Sequence, residues 1–200
     1  MAKKHTVIVV PGLGDNITFL HPAIYHWRLF GLSPIEYSFG FSDLSSSFEQ
    51  KFANLLSLID EKIQQGDRVS LVGTSAGASV VFNAFSKRKK NIHRVVNVCG
   101  RLRQGKEKGF RSFEKRTSSS PSFAESIIRV EEVIEKLTAK EKKKILTMRP
   151  MFGDELVPSD TLTIKGATNI QIPTIEHVAT IGFGVTLFSN KIISFLQKEN

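Results

Sequence analysis

One stretch constrains the fold of this chain more than any other: Val69-Ser70-Leu71-Val72 running into Gly73-Thr74-Ser75-Ala76-Gly77. A mostly apolar run enters the pattern G-x-S-x-G, and Ala78-Ser79-Val80-Val81-Phe82 leaves it. That order predicts a strand, a tight turn and a helix, with a serine at the apex. A turn this sharp strains the backbone of the serine, and glycines beside it remove side chains that would collide. The serine hydroxyl would then stand clear of the sheet, at a helix N-terminus that favours developing negative charge. The pentapeptide arises by chance in roughly one such chain in ten, so the rest of the sequence must carry the argument.

The rest alternates strand and helix. Thr6-Val7-Ile8-Val9-Val10 is a continuous β-branched run, the pattern of a strand buried on both faces. Pro11-Gly12-Leu13-Gly14-Asp15 ends it in a loop. A helix is predicted over His21 to Leu32, with Ile24, Trp27 and Leu29 on its apolar side, then a short strand at 35–37. Ser46 with Glu49, or Ser47 with Gln50, forms a capping box for the next helix. Phe48, Phe52, Leu55, Leu56, Ile59 and Ile63 recur along it at helical spacing, and Gly66 stops it. Further strands are expected at 68–72, 94–99, 144–148 and 169–172, and further helices at 76–87, 123–137 and 185–197. Residues 101–122 have no apolar periodicity and are expected to form a mobile loop. The pattern predicts one α/β domain over residues 1–200, with a mainly parallel sheet between helices. Sites in such sheets form at the carboxyl ends of the strands.

Composition narrows the class. Two hundred residues with 40% apolar content suit one globular domain with a core of its own. No run approaches the ~18 apolar residues of a membrane-spanning helix, and the first strand is too short to be a signal-peptide core. The one cysteine, Cys99, excludes an internal disulfide, reads as a small buried residue closing a strand, and fits a reducing, cytoplasmic compartment. No metal-ligand cluster or phosphate-binding loop stands out, and no cofactor is expected. Gly12-Leu13-Gly14-Asp15-Asn16-Ile17 begins like a dinucleotide fingerprint but lacks the third glycine.

A serine needs a base to take its proton and donors to hold an oxyanion. Of the five histidines, His5 precedes the first strand, His21 and His26 lie at the first helix, and His93 sits at the wrong end of a strand. His177 follows the last strand, on the rim with Ser75, and is the candidate base; His21 is the reserve. Asp154 follows Gly153 in the loop after the 144–148 strand and is the candidate for the orienting acid, also able to cap the turn that follows. Glu155 is the alternative. The oxyanion donors would be the backbone N–H groups of Ala76, next to the serine, and of Leu13, in the glycine loop after the first strand.

Val-Pro-Gly-Leu-Gly, Gly-Thr-Ser-Ala-Gly, Gly-Asp-Glu-Leu-Val-Pro and the late His177 together resemble the α/β-hydrolase superfamily. The resemblance implies an α/β-hydrolase fold, trimmed of its N-terminal antiparallel strands. It also implies catalysis by Ser75, Asp154 and His177 through an acyl-enzyme, as in a carboxylesterase, lipase or thioesterase. Pro11-Gly12 stands where many members have His-Gly, which a backbone donor tolerates.

The charge of +9 is local. Residues 87–149 hold 19 of the 28 Lys and Arg and only 7 of the 19 Asp and Glu. Residues 101–138 fall where many members of the superfamily insert a cap, and a basic cap would admit an anionic or lipid-like acyl substrate or rest on a membrane surface. Its aromatics, Phe110, Phe113 and Phe123, form no base-stacking pattern, so nucleic acid is not expected. The competing expectation is a non-catalytic relative that binds a partner or anionic ligand through this cap.

Overall fold

Six strands make one sheet, and every neighbouring pair in it is parallel. The computed structural model describes residues 3–199. β1 (His5–Val10) leads to α1 (Ile17–Tyr25), a 3₁₀ turn (His26–Phe30) and β2 (Leu32–Glu36). Next come α2 (Phe48–Gln64), β3 (Arg68–Thr74), α3 (Ala76–Lys87) and β4 (Ile92–Val98). A second 3₁₀ turn (Gly109–Arg111) precedes α4 (Phe113–Thr117), α5 (Pro121–Glu135) and α6 (Ala139–Lys142). β5 (Ile145–Pro150), α7 (Ser159–Leu162), β6 (Thr168–Ile172), α8 (His177–Val185) and α9 (Ser189–Gln197) follow. The strand order is β2-β1-β3-β4-β5-β6. The expected α/β architecture is present, with no antiparallel strand among the described residues.

The β-branched runs alternate between two cores. Ile8, Val10, Val69, Leu71 and Val95 face α2, α3 and α5, whereas Val7, Val9, Val72, Val96 and Val98 face α1 and α9. Each fully buried side chain of this size contributes about 1.5–3 kcal/mol, so covering both faces is what makes the central strands affordable in the interior. The abundant phenylalanines gather on the first face: Phe39 and Phe41 lie 5.0 Å apart, and Phe48 stacks on Phe52 at 5.3 Å. Ser47 and Gln50 form the capping box of α2, which settles the choice left open by the sequence.

Several boundaries differ from expectation. The helix expected over 21–32 begins earlier, because the Asn16 side chain accepts from the Thr18 and Phe19 N–H groups. It loosens into the 3₁₀ turn after Pro22, which removes a helical donor, and Gly31 ends it at φ 75°. Leu32 already starts β2, and Leu29, expected on the apolar side, is exposed. The C-terminal helix expected over 185–197 begins only at Ser189, as α9; Val185 instead ends α8, a helix the pattern does not predict, and Leu187 in the turn between them points to solvent.

Residues 101–138 do not stand apart as one unit. Phe123, Ile127, Val130 and Ile134 of α5 are buried in the first core, where the helix lies along α3; Ser126 accepts from Asn83 through its carbonyl, and its hydroxyl meets Ser79. The 101–122 segment, expected to be a mobile loop, carries a 3₁₀ turn and α4, and Arg101 and Leu102 are fully buried. Short polar links replace apolar periodicity there: Ser120 donates to the Phe41 carbonyl, and Arg101 to the Arg111 carbonyl.

Candidate active site

The sheet delivers four loops to one rim. Ser75 follows β3 and is the N-cap of α3, at φ 49° and ψ −123°, a backbone conformation that costs an L-residue of order 1–3 kcal/mol. Its N–H donates to the Val98 carbonyl and its own carbonyl accepts from Ala78, which pins the turn. The glycines are needed for close approach. A Cβ on Gly73 would lie 2.4 Å from Ala78 Cα, and one on Gly77 would lie 2.2 Å from the Val10 carbonyl oxygen. Gly100, after β4, plays the same part from outside the pentapeptide: a Cβ there would lie 2.3 Å from the Ser75 carbonyl oxygen.

Ser75 makes no side-chain bond to the helix it caps. Its Oγ instead lies 2.9 Å from Nε2 of His177. Nδ1 of that ring is 2.7 Å from Oδ2 of Asp154. His177 is the first residue of α8 and is 2% exposed; Asp154 is 4% exposed. The other Asp154 oxygen, Oδ1, accepts the N–H groups of Leu156 and Val157 at 2.9 and 2.8 Å. The expected helix cap is thus a turn closed ahead of α7. A buried carboxylate with three donors is compensated for its lost hydration.

Glu155 does not compete for the ring. Its Oε2 accepts the backbone N–H of His177 at 2.9 Å. Glu176, the N-cap of α8, accepts from Val178 and Ala179. Those N–H groups, led by that of Ala179, hold the Glu176 carboxyl below its ordinary range against the cost of desolvation. Burial, then the charges of Asp154, Glu155 and Glu176, push the Cys99 thiol well up, so it stays protonated. The reserve histidine, His21, is not brought to the site; it meets Glu36 at 3.0 Å.

Gly12 packs against Ser75, with room for a Cβ only 3.0 Å from the Ser75 Cβ. This puts the 11–14 loop beside the hydroxyl. The N–H groups of Leu13 and Ala76 find no acceptor among the described residues. Asp15, at φ 48°, secures the loop: its carboxylate accepts from Gly40 and Ser42. Nothing in the sequence marks Asp15 for this role beyond its place after a glycine turn.

No family model matches the sequence, and no curated protein matches it significantly. Solved structures do match. A hydrolase from Pseudomonas aeruginosa PA01 superposes with a TM-score of 0.70 at 15% identity, over 99% of this chain and 92% of the other. The monoacylglycerol lipase of Paleococcus ferrophilus gives 0.66 at 17% identity, over 98% and 95%. The enol-lactonase of Burkholderia xenovorans LB400 gives 0.64 at 14% identity, over 98% and 93%. The chain has the α/β-hydrolase fold. Within the α/β-hydrolase fold, Ser75 lies between a strand and a helix at the centre of the sheet, and Asp154 and His177 lie after the last two strands. The likeness extends over nearly the full length of these chains. Among the described residues, no single helix is long and apolar enough to cross a membrane.

Proposed function

We propose that the protein is a serine hydrolase that cleaves a carboxylic ester or similar acyl bond. The observation that carries this reading is the line of hydrogen bonds from Ser75 Oγ through His177 to Asp154. A buried carboxylate at Nδ1 favours the tautomer whose Nε2 lone pair faces the serine. Ser75 Oγ attacks the acyl carbon and its proton passes to His177 Nε2. The oxyanion forms beside the N–H groups of Ala76 and Leu13, which act as its donors. Collapse breaks the bond to the leaving group, which departs with the proton from Nε2 and leaves an acyl ester on Ser75. A water then loses a proton to Nε2 and attacks the same carbon, and the second collapse returns the acid and free Ser75. The names of the matched structures, a lipase and a lactonase among them, support hydrolysis of an acyl bond.

The acyl group is read as apolar. Met151 and Phe152 precede Asp154, Ile175 and Val178 flank His177, and all four are exposed on the loops that carry the acid and the base. Arg111, within the basic 101–138 stretch, reaches the Asp154 carbonyl at 3.5 Å, which supports a position of that stretch beside the same rim. That segment borders the substrate entrance, in a cytoplasmic setting consistent with the buried free thiol.

A fluorophosphonate probe tests the reading. It should label Ser75 in the folded protein, and neither Ser75→Ala nor His177→Ala should be labelled. Folded wild-type protein that resists the probe would overturn it.

A further inference from the structure

A second concave site lies at the opposite end of the strands from Ser75. A cavity of about 740 Å³ opens where β4 and β5 begin, bounded by the 88–91 turn, α6 and the end of α9. Six cations line it: Lys89, Lys90, Arg94, Lys140, Lys143 and Lys144. Its two carboxylates are already engaged. Glu141 pairs with Lys89 at 3.1 Å, and Glu199 with Arg68 at 3.0 Å.

The two innermost cations have no contacting carboxylate among the described residues. Arg94 is 6% exposed; its Nη atoms donate to the backbone carbonyls of Lys143, Lys198 and Glu199, and its buried Nε has no partner. Lys144 Nζ donates to the carbonyls of Lys89 and Ile92. Burial, with Arg94 and Lys140 beside it, pulls the Lys144 ammonium below its ordinary value. Carbonyl dipoles satisfy these hydrogen bonds without cancelling charge; Glu199 acts on buried Arg94 and Glu141 on half-buried Lys144 only from beyond contact distance, so the cavity keeps a net positive charge. Lys90, Lys140 and Lys143 extend the same field to the mouth, where they make no ion pair among the described residues.

We propose that this cavity binds a small molecule carrying two or more adjacent phosphate groups. Lysines act as point charges toward phosphate and arginine as a directional donor. So many cations in one cavity exceed what a single carboxylate neutralises. Concavity selects the size of the ligand: a volume within the ~300–1,000 Å³ range of small-molecule sites suits a compact anion. A nucleic-acid backbone or a lipid surface would call for a protruding or flat basic face. The site is independent of Ser75, which lies at the other end of the strands.

Titration calorimetry with tripolyphosphate at low salt tests it. Wild-type protein should bind one equivalent, and Lys90→Gln/Lys140→Gln/Lys143→Gln should weaken binding by at least about tenfold, which is ~1.4 kcal/mol. These lysines are exposed or at the mouth, so the triple variant should keep its melting temperature. Labelling of Ser75 by a fluorophosphonate should be unchanged by the substitutions, which separates this site from the hydrolase reading. Absence of binding, or equal binding by the triple variant, would overturn the proposal. So would equal affinity for citrate, or tighter binding of a short DNA duplex or an anionic vesicle.

Discussion

Glu155 accepts the backbone N–H of His177 at 2.9 Å, while Asp154, the residue before it, accepts the ring N–H side of the same histidine. Two consecutive carboxylates thus hold one residue by its main chain and by its imidazole. Glu155 is read as a positioning residue at the start of α8. Glu155→Gln keeps an oxygen that accepts the N–H and should retain most activity toward p-nitrophenyl butyrate. Glu155→Ala loses the acceptor and should lower kcat by about tenfold with KM little changed, the signature of a misaligned base. Equal losses in the two variants would show that the hydrogen bond is not what matters.

Asp154 faces a different test. Asp154→Asn preserves shape but offers Nδ1 a donor or the wrong acceptor geometry, favouring the tautomer whose proton points at Ser75. The expected fall in kcat is on the order of 10³–10⁴, far beyond the Glu155→Ala effect. Stability should fall too, since Oδ1 holds the Leu156 and Val157 N–H groups. Steady-state rates and a urea melt on one preparation separate the two losses.

The elbow makes a sharper prediction about glycine. Gly77→Ala and Gly100→Ala each put a methyl group within 2.3 Å of backbone oxygen or a neighbouring Cβ, so the chain itself must move. Each should cost at least about 2–3 kcal/mol in urea unfolding and abolish fluorophosphonate labelling. Gly14→Ala is the control: nothing lies within 4 Å of its Cβ, so stability should change by no more than about 0.5 kcal/mol.

These contrasts show where sequence was informative. β1, β3 and α3 were legible because continuous β-branched runs and a helical apolar face leave few alternatives, and the rim loops followed from parallel topology. Ser75, His177 and Asp154 stood out because each residue type fell in a rim loop. Gly100 and Asp15 act through contacts between segments distant in sequence, and a lone glycine or carboxylate carries no local mark of that; Glu155 reads in the sequence as a rival acid, and its hold on the His177 main chain has no local mark either. The 101–122 segment misled for the opposite reason. Its fixed points are one buried leucine, one buried arginine and serine-to-carbonyl bonds, which have no period. The break between α8 and α9 was hidden because Leu187 and Phe188 continue an apolar pattern through a turn.

The floor of the sheet makes the protein sensitive to mild acid. His5 bonds Ser70 at 2.9 Å and meets His93 edge-on at 5.4 Å. Burial first, then the charges of His93 and Arg68, lower the His5 pKa to about 4. The unfolded chain takes up that proton near pH 6.5, whereas the folded chain does so only near pH 4. Between those values the unfolded state binds more protons, so stability falls as pH falls and is fully present above the unfolded value. From pH 7 to pH 5, His5 should account for a loss of about 1–2 kcal/mol. His5→Gln keeps a hydrogen-bonding side chain but cannot titrate. Its unfolding free energy in urea should drop less than that of the wild type over this interval, by that amount. Parallel pH profiles for the two proteins would show that His5 enters the fold as readily charged as neutral.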